Sequence, residues 1–210
     1  MSFNKDLTSN LSLEDSIDSS WLKWFAHYIS AIFSPPLMVV YGILLCSYVV
    51  DIPSVFLWAI LFFALFLLMP TLYILYLMKK GFISDFHMDT REERIKPLTI
   101  IFVHTLFSMV FYKFIGGPNI FLLIALASLI AIGIVLIISL YWKISGHSAA
   151  AGGLLVVAYN FYDNLVYGLA VIVALIVWSR IKLGCHSFPQ TAVGLILGVL
   201  TFSFFIIMFG

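Results

Sequence analysis

Residues 120–142 read IFLLIALASLIAIGIVLIISLYW, and the chain then changes character at Lys143-Ile144-Ser145-Gly146-His147-Ser148. The first run carries no charge, and at ~1.5 Å per residue it reaches across a ~30 Å hydrocarbon core as a helix. The small Ser-Gly turn then delivers a histidine and a basic residue to the end of that membrane segment. Ionisable groups are costly to keep near lipid, so at such a place they are candidates for function.

Outward from this point the same alternation repeats. Apolar segments occupy 28–50, 54–78, 98–115, 120–142, 147–162, 164–179 and 190–209. The fold expected is all-α, a polytopic transmembrane bundle of six or seven membrane helices, with 147–162 and 164–179 short for a span. Asp51-Ile52-Pro53-Ser54, Gly116-Gly117-Pro118-Asn119 and Asp163-Asn164 punctuate the connections as turns or caps. Pro35-Pro36 and Pro70 fall inside apolar runs and should kink or reset their helices. Gly152-Gly153, after Ala149 to Ala151, offers a face of small residues for close helix packing. Residues 1–23 are polar and acidic, and form either an interfacial helix, through Leu13, Ile17 and Trp21, or a disordered tail. Residues 24–210 form one membrane-embedded domain.

Composition excludes other classes. The 210 residues are 63% hydrophobic and only 10% charged, too few polar groups to cover a soluble domain of this length. No basic run with interleaved aromatics suggests nucleic acid. Cys46 and Cys185 make no metal spacing, and no disulfide is expected. Asp6, Glu14, Asp15 and Asp18 precede any apolar run, so no cleaved signal peptide is apparent.

Three polar islands carry the chemistry. The first, Asp85 to Pro97, places Arg91 and Arg94 on one face of a helical turn, where two guanidinium forks suit a phosphate; Lys96 follows. Its bland reading is a solvated loop with positive charges at the headgroups, and Thr90-Arg91-Glu92-Glu93 also reads as a capping box. In the second, Lys143, Ser145 and Gly146 precede His147 at a helix start, where backbone N–H groups can receive an anion. The third, Ser179 to Gln190, ends one helix at Arg180, breaks at Gly184, and sets His186 four residues before Gln190. A histidine fixed by a partner beside an arginine can attack phosphorus or shuttle a proton. His27 and His104 lack such company and read as interface and bundle residues. The islands follow the second, fourth and sixth apolar segments. An even number of crossings separates each pair, so all three should emerge on one side of the bilayer as one composite site.

Ser145-Gly146-His147, followed by Ser179-Arg180, five residues and then His186, resembles the second and third signatures of the type 2 phosphatidic acid phosphatases. That superfamily includes lipid and polyprenyl-diphosphate phosphatases and the vanadium haloperoxidases, and the resemblance covers about residues 79–205. It implies that His186 is the nucleophile forming a phosphohistidine and that His147 protonates the leaving oxygen. Arg180, Ser145 and the Gly146 N–H would hold the phosphate oxygens. The first signature is not kept, and Arg91 and Arg94 are expected to substitute for it, with Lys96, Lys143 and Ser179 completing the phosphate site. It implies no metal or other cofactor. The substrate implied is a membrane lipid phosphate, phosphatidate or a prenyl phosphate or diphosphate.

The sequence departs from that pattern at three places. Asp89 stands where the first signature has lysine, Ile144 where the second has proline, and Gln190 where the third has an aspartate. An amide can orient an imidazole but cannot balance its positive charge.

Two rival functions differ in class. Asp85, Asp89 and Glu93, with His87 between them, resemble the Mg²⁺–diphosphate motif of a membrane prenyltransferase, although the only later acidic residue is Asp163. Alternatively, a non-catalytic protein could keep the phosphate site and lose turnover through Gln190. Of the eleven basic residues, only Lys113 falls opposite the islands by the crossing count. The positive-inside rule then puts the N-terminus and the site in the cytoplasm.

Overall fold

The computed structural model describes residues 20–82, 91–162 and 164–209, with residues 91–93 as backbone alone. Residues 1–19, the run Asp85 to Thr90 and Asp163, on which several of the readings above fall, lie outside them, as does the Arg91 side chain. Each of the seven apolar segments folds as helix, and the described residues contain no strand. In chain order the helices are α1 Ser20–Ile32 and α2 Pro35–Val49, α3 Val55–Lys79 and α4 Arg91–Phe114. They continue as α5 Asn119–Ser139, α6 Gly146–Phe161, α7 Leu165–Lys182 and α8 Phe188–Phe209.

Five of these (α3, α4, α5, α7 and α8) are long and apolar enough to cross a membrane, and α1 with α2 makes a sixth if the pair is one bent span. The seventh expected crossing is the exception. Helix α6 has 16 residues, or ~24 Å, short of a ~30 Å hydrocarbon core. Its surroundings explain how it can be short, because α2, α7 and α8 all pack against it. Ala149, Ala151 to Leu154 and Val156 to Ala158 are buried, so most of the helix never meets lipid. The small-residue face makes this possible. A Cβ added at Gly194 would sit 2.5 Å from the Ser145 carbonyl oxygen, and one at Gly198 would overlap the carbonyl of Ala149. Backbones that close are tolerated only without side chains between them.

Two prolines shape the rest. The first apolar segment is not one continuous helix: α1 ends before Ser34, Pro35 restarts the chain at the first position of α2, and the two axes differ by 52°. In α3, Ala64–Leu68 widens into a π turn just before Pro70. In that register the Leu65 carbonyl would bond the nitrogen of residue 70, and proline has no N–H to give. His104 of α4 supplies the proton instead, with Nε2 2.7 Å from the Leu65 oxygen. His104 is thereby accounted for as a bundle residue.

Helix α1 exposes Trp21, Trp24 and Tyr28 while burying Ala26, Ile29 and Ser30. An apolar outer face rich in tryptophan fits the membrane interface. Away from the islands, Trp58, Phe62, Tyr112 and Phe121 join α3, α4 and α5 through edge-to-face rings.

Candidate functional site

The described parts of the three islands converge at the start of α6. Arg94, in the first turns of α4, is buried and donates from Nη1 to the Ile144 carbonyl at 3.1 Å. The Ser145 N–H donates to the Gln190 carbonyl at 3.2 Å, fastening the α5–α6 turn to the first turn of α8. The third island is shaped by its own backbone. Gly184 takes the left-handed conformation (φ 69°), and the Cys185 and His186 N–H groups both turn back to the Arg180 carbonyl. A helix end closed in this way needs glycine, since a Cβ disfavours that conformation. The loop therefore curls over Arg180, and α8 begins with Pro189 in its first turn.

His186 is 6% exposed, and its Nδ1 lies 3.3 Å from Gln190 Oε1. An amide oxygen only accepts, so Nδ1 carries the proton and Nε2 keeps its lone pair. The same Oε1 accepts the Ser187 N–H at 3.1 Å, which holds the amide in place. Burial first, and then the charges of Arg94, Arg180 and Lys143, push the His186 pKa down to about 3, although the Gln190 bond opposes this. The ring is consequently neutral at neutral pH.

His147 and Arg180 meet on a residue that no sequence pattern marks. Ser30, on the inner face of α1 and fully buried, accepts a 2.7 Å hydrogen bond from Arg180 Nη1. His147 Nε2 lies 3.4 Å from the same hydroxyl and 3.3 Å from the Ser30 carbonyl oxygen. A serine in an apolar segment far from any island carries no signal of such a role. Only the turn of α1 over the site brings it there.

Beneath these groups lies a cavity of about 310 Å³. Arg94, Gly146, His147, Arg180 and His186 line it together with apolar side chains of α2 to α6 and α8; no carboxylate does so among the described residues. A Cβ built at Gly146 would meet nothing within 4 Å, so its backbone has room for a ligand to approach.

The other expected site residues lie elsewhere. Ser145 does not line the cavity; its hydroxyl caps α6, accepting from the Ser148 N–H at 3.3 Å and the Ser148 hydroxyl at 3.0 Å. The Ser179 hydroxyl donates to the Ile176 carbonyl at 2.7 Å, and it too is absent from the lining. Lys96 is exposed and points no charge into the cavity wall. Lys143 is half-buried and acts on His186 through its charge. Among the described residues no three His, Cys, Asp or Glu side chains gather closely enough to hold a metal ion. Comparison with protein-family models, with curated proteins and with solved structures finds no match for this chain.

Proposed function

We propose that this protein is a membrane-embedded, metal-independent phosphatase of lipid phosphates, working through a phosphohistidine on His186. One observation carries the reading: cationic side chains surround a neutral, oriented histidine at the polar end of an apolar cavity. The order of Ser145-Gly146-His147 and Arg180…His186, with its resemblance to the type 2 phosphatidic acid phosphatases, points the same way. In the proposed reaction Nε2 of His186 attacks phosphorus and the bond from phosphorus to the lipid oxygen breaks. His147 gives that oxygen a proton. Water, losing a proton to His147, then displaces the histidine and releases phosphate. Arg94, Arg180 and the Gly146 N–H receive the phosphate oxygens, and Lys143 adds to their field. The basic residues favour a cytoplasmic site.

A second reading, phosphate-lipid binding without turnover, draws on Gln190. An amide fixes the ring but cannot balance a developing positive charge, and in a serine-protease triad the carboxylate-to-amide change costs ~10⁴ in rate. The metal-dependent transferase rests on Asp85, His87, Asp89 and the Glu93 side chain, which lie outside the described residues, and on a second acidic cluster for which the later sequence offers only Asp163.

Phosphate release by purified protein in nanodiscs, with EDTA present, tests the proposal. Wild type should release phosphate and become acid-labile-phosphorylated, and His186→Ala should do neither. Near-normal release by His186→Ala overturns the mechanism. Orthovanadate binding without release from any lipid phosphate selects the second reading.

A further inference from the structure

We infer that the cavity takes a single-chain lipid phosphate, with one hydrocarbon tail running down the inside of the bundle, rather than a two-chain phospholipid. The inference rests on the phosphate reading of the polar end and goes beyond it by naming the tail. The cavity has two unlike ends. Arg94 and His186 belong to the first, while Val157 of α6 and Phe202 of α8 belong to the second, inside the apolar core. Along α6 its wall runs from Gly146 to Val157, or ~16 Å at ~1.5 Å per residue. The cavity is open on one side rather than sealed, so a hydrocarbon chain can enter it and supply the contacts its apolar wall otherwise lacks.

Volume decides how much fills it. A cavity of roughly 150 Å³ accommodates one benzene. The 310 Å³ found here therefore matches roughly a dozen carbons by the same measure. That is one tail of moderate length; two long acyl chains would exceed it severalfold, so a two-chain lipid would have to leave most of its hydrocarbon outside the bundle. The cations supply charge complementarity for the head, and the length and volume supply it for the tail. Bilayer lipid already shelters a tail from water, so selection among chains comes from packing rather than from transfer out of water. A tail too short leaves a void, and one too long must crowd the core or bend.

The test is equilibrium binding of radiolabelled dodecyl phosphate to the protein in phosphatidylcholine nanodiscs. Competitors are butyl, octyl, dodecyl and octadecyl phosphates, farnesyl phosphate and dioleoyl phosphatidate, each expressed as mole fraction in the bilayer. Competition should be strongest near dodecyl, with octadecyl phosphate and phosphatidate about tenfold weaker, the factor expected of modest overpacking. Farnesyl against dodecyl phosphate tells a methyl-branched tail from a straight one. Ala125→Phe or Ser128→Phe, on the α5 wall, should move the optimum toward octyl phosphate while octyl binding shows that the variant is folded. Phosphatidate competing as well as dodecyl phosphate overturns the inference, and so does an optimum that neither variant moves. If neither variant folds, the wild-type series decides alone, and equal competition from octyl through octadecyl overturns it. Phosphate release in the same samples separates the two claims. Chain-selective binding without release removes the hydrolysis and keeps the tail site, whereas equal release from phosphatidate does the reverse.

Discussion

Ser30→Ala isolates what α1 contributes. The hydroxyl is fully buried and accepts from Arg180 Nη1 at 2.7 Å, a short bond to a charged donor. Hydrogen bonds to charged groups in proteins contribute about 1.5–3 kcal/mol, which corresponds to roughly 10- to 150-fold if the loss falls on the transition state. Because His147 approaches the same serine, the substitution disturbs both groups that meet there. Phosphate release from dodecyl phosphate should fall by at least about tenfold in kcat/KM, mostly through kcat. Orthovanadate should inhibit less strongly. Ser30→Thr, which keeps the hydroxyl, should recover part of the loss despite an added methyl in a site with no exposure. Thermal unfolding in the same nanodiscs separates a misplaced arginine from a misfolded bundle. A folded Ser30→Ala protein with kcat/KM within about twofold of wild type would refute the argument that Arg180 and His147 are held by α1.

Protonation of His186 offers another measurement. Its pKa is about 3 when folded, against the ordinary 6.5, so the unfolded chain binds more protons between those values. Its contribution to stability is present above pH 6.5 and is lost as pH falls toward 3. Nitrogen-15 NMR of labelled histidines should find the ring neutral at pH 5; Arg94→Gln or a bound phosphate should raise its pKa, and a wild-type ring titrating near 6.5 refutes the electrostatic description. Gly198→Val tests the packing of α6, because a Cβ there overlaps the Ala149 carbonyl. It should destabilise the protein by about 1–3 kcal/mol or more, while Gly168→Ala, with nothing within 4 Å of its Cβ, should not; equal melting of the two removes the close-approach argument. Cys185 reports orientation, being half-buried beside His186. In cells with Cys46 replaced by serine, an impermeant thiol reagent should label it only after permeabilisation, and labelling of intact cells overturns the cytoplasmic assignment.

The one-dimensional pattern was sufficient for the five or six helices long and apolar enough to cross a membrane, because a span of backbone in hydrocarbon must be helical and its side chains must be apolar. The same reasoning about crossings anticipated that Arg94, His147 and His186 would gather at one end, since each island follows an even number of apolar segments. Gln190 was legible too, as a residue four positions after His186 at a helix start, and the 3.3 Å bond to Nδ1 follows from that spacing. Pro35 announced the break before α2 by chemistry alone.

Tertiary structure decided the rest. Whether a serine hydroxyl holds a ligand or a helix end depends on which way it faces, and Ser145 and Ser179 face backbone. Helix α6 passes for a short span in the sequence, but its enclosure by α2, α7 and α8 depends on backbone contacts between residues far apart in the chain. The cavity is a difference between packed volumes, which no local pattern encodes. Ser30 became part of the site only because α1 turns through 52° at Phe33-Ser34 and lays its inner face against Arg180 and His147. Residues 117 and 150 positions apart in sequence are brought within hydrogen-bond reach by the way the helices pack, and hydrophobic periodicity carries no information about that distance.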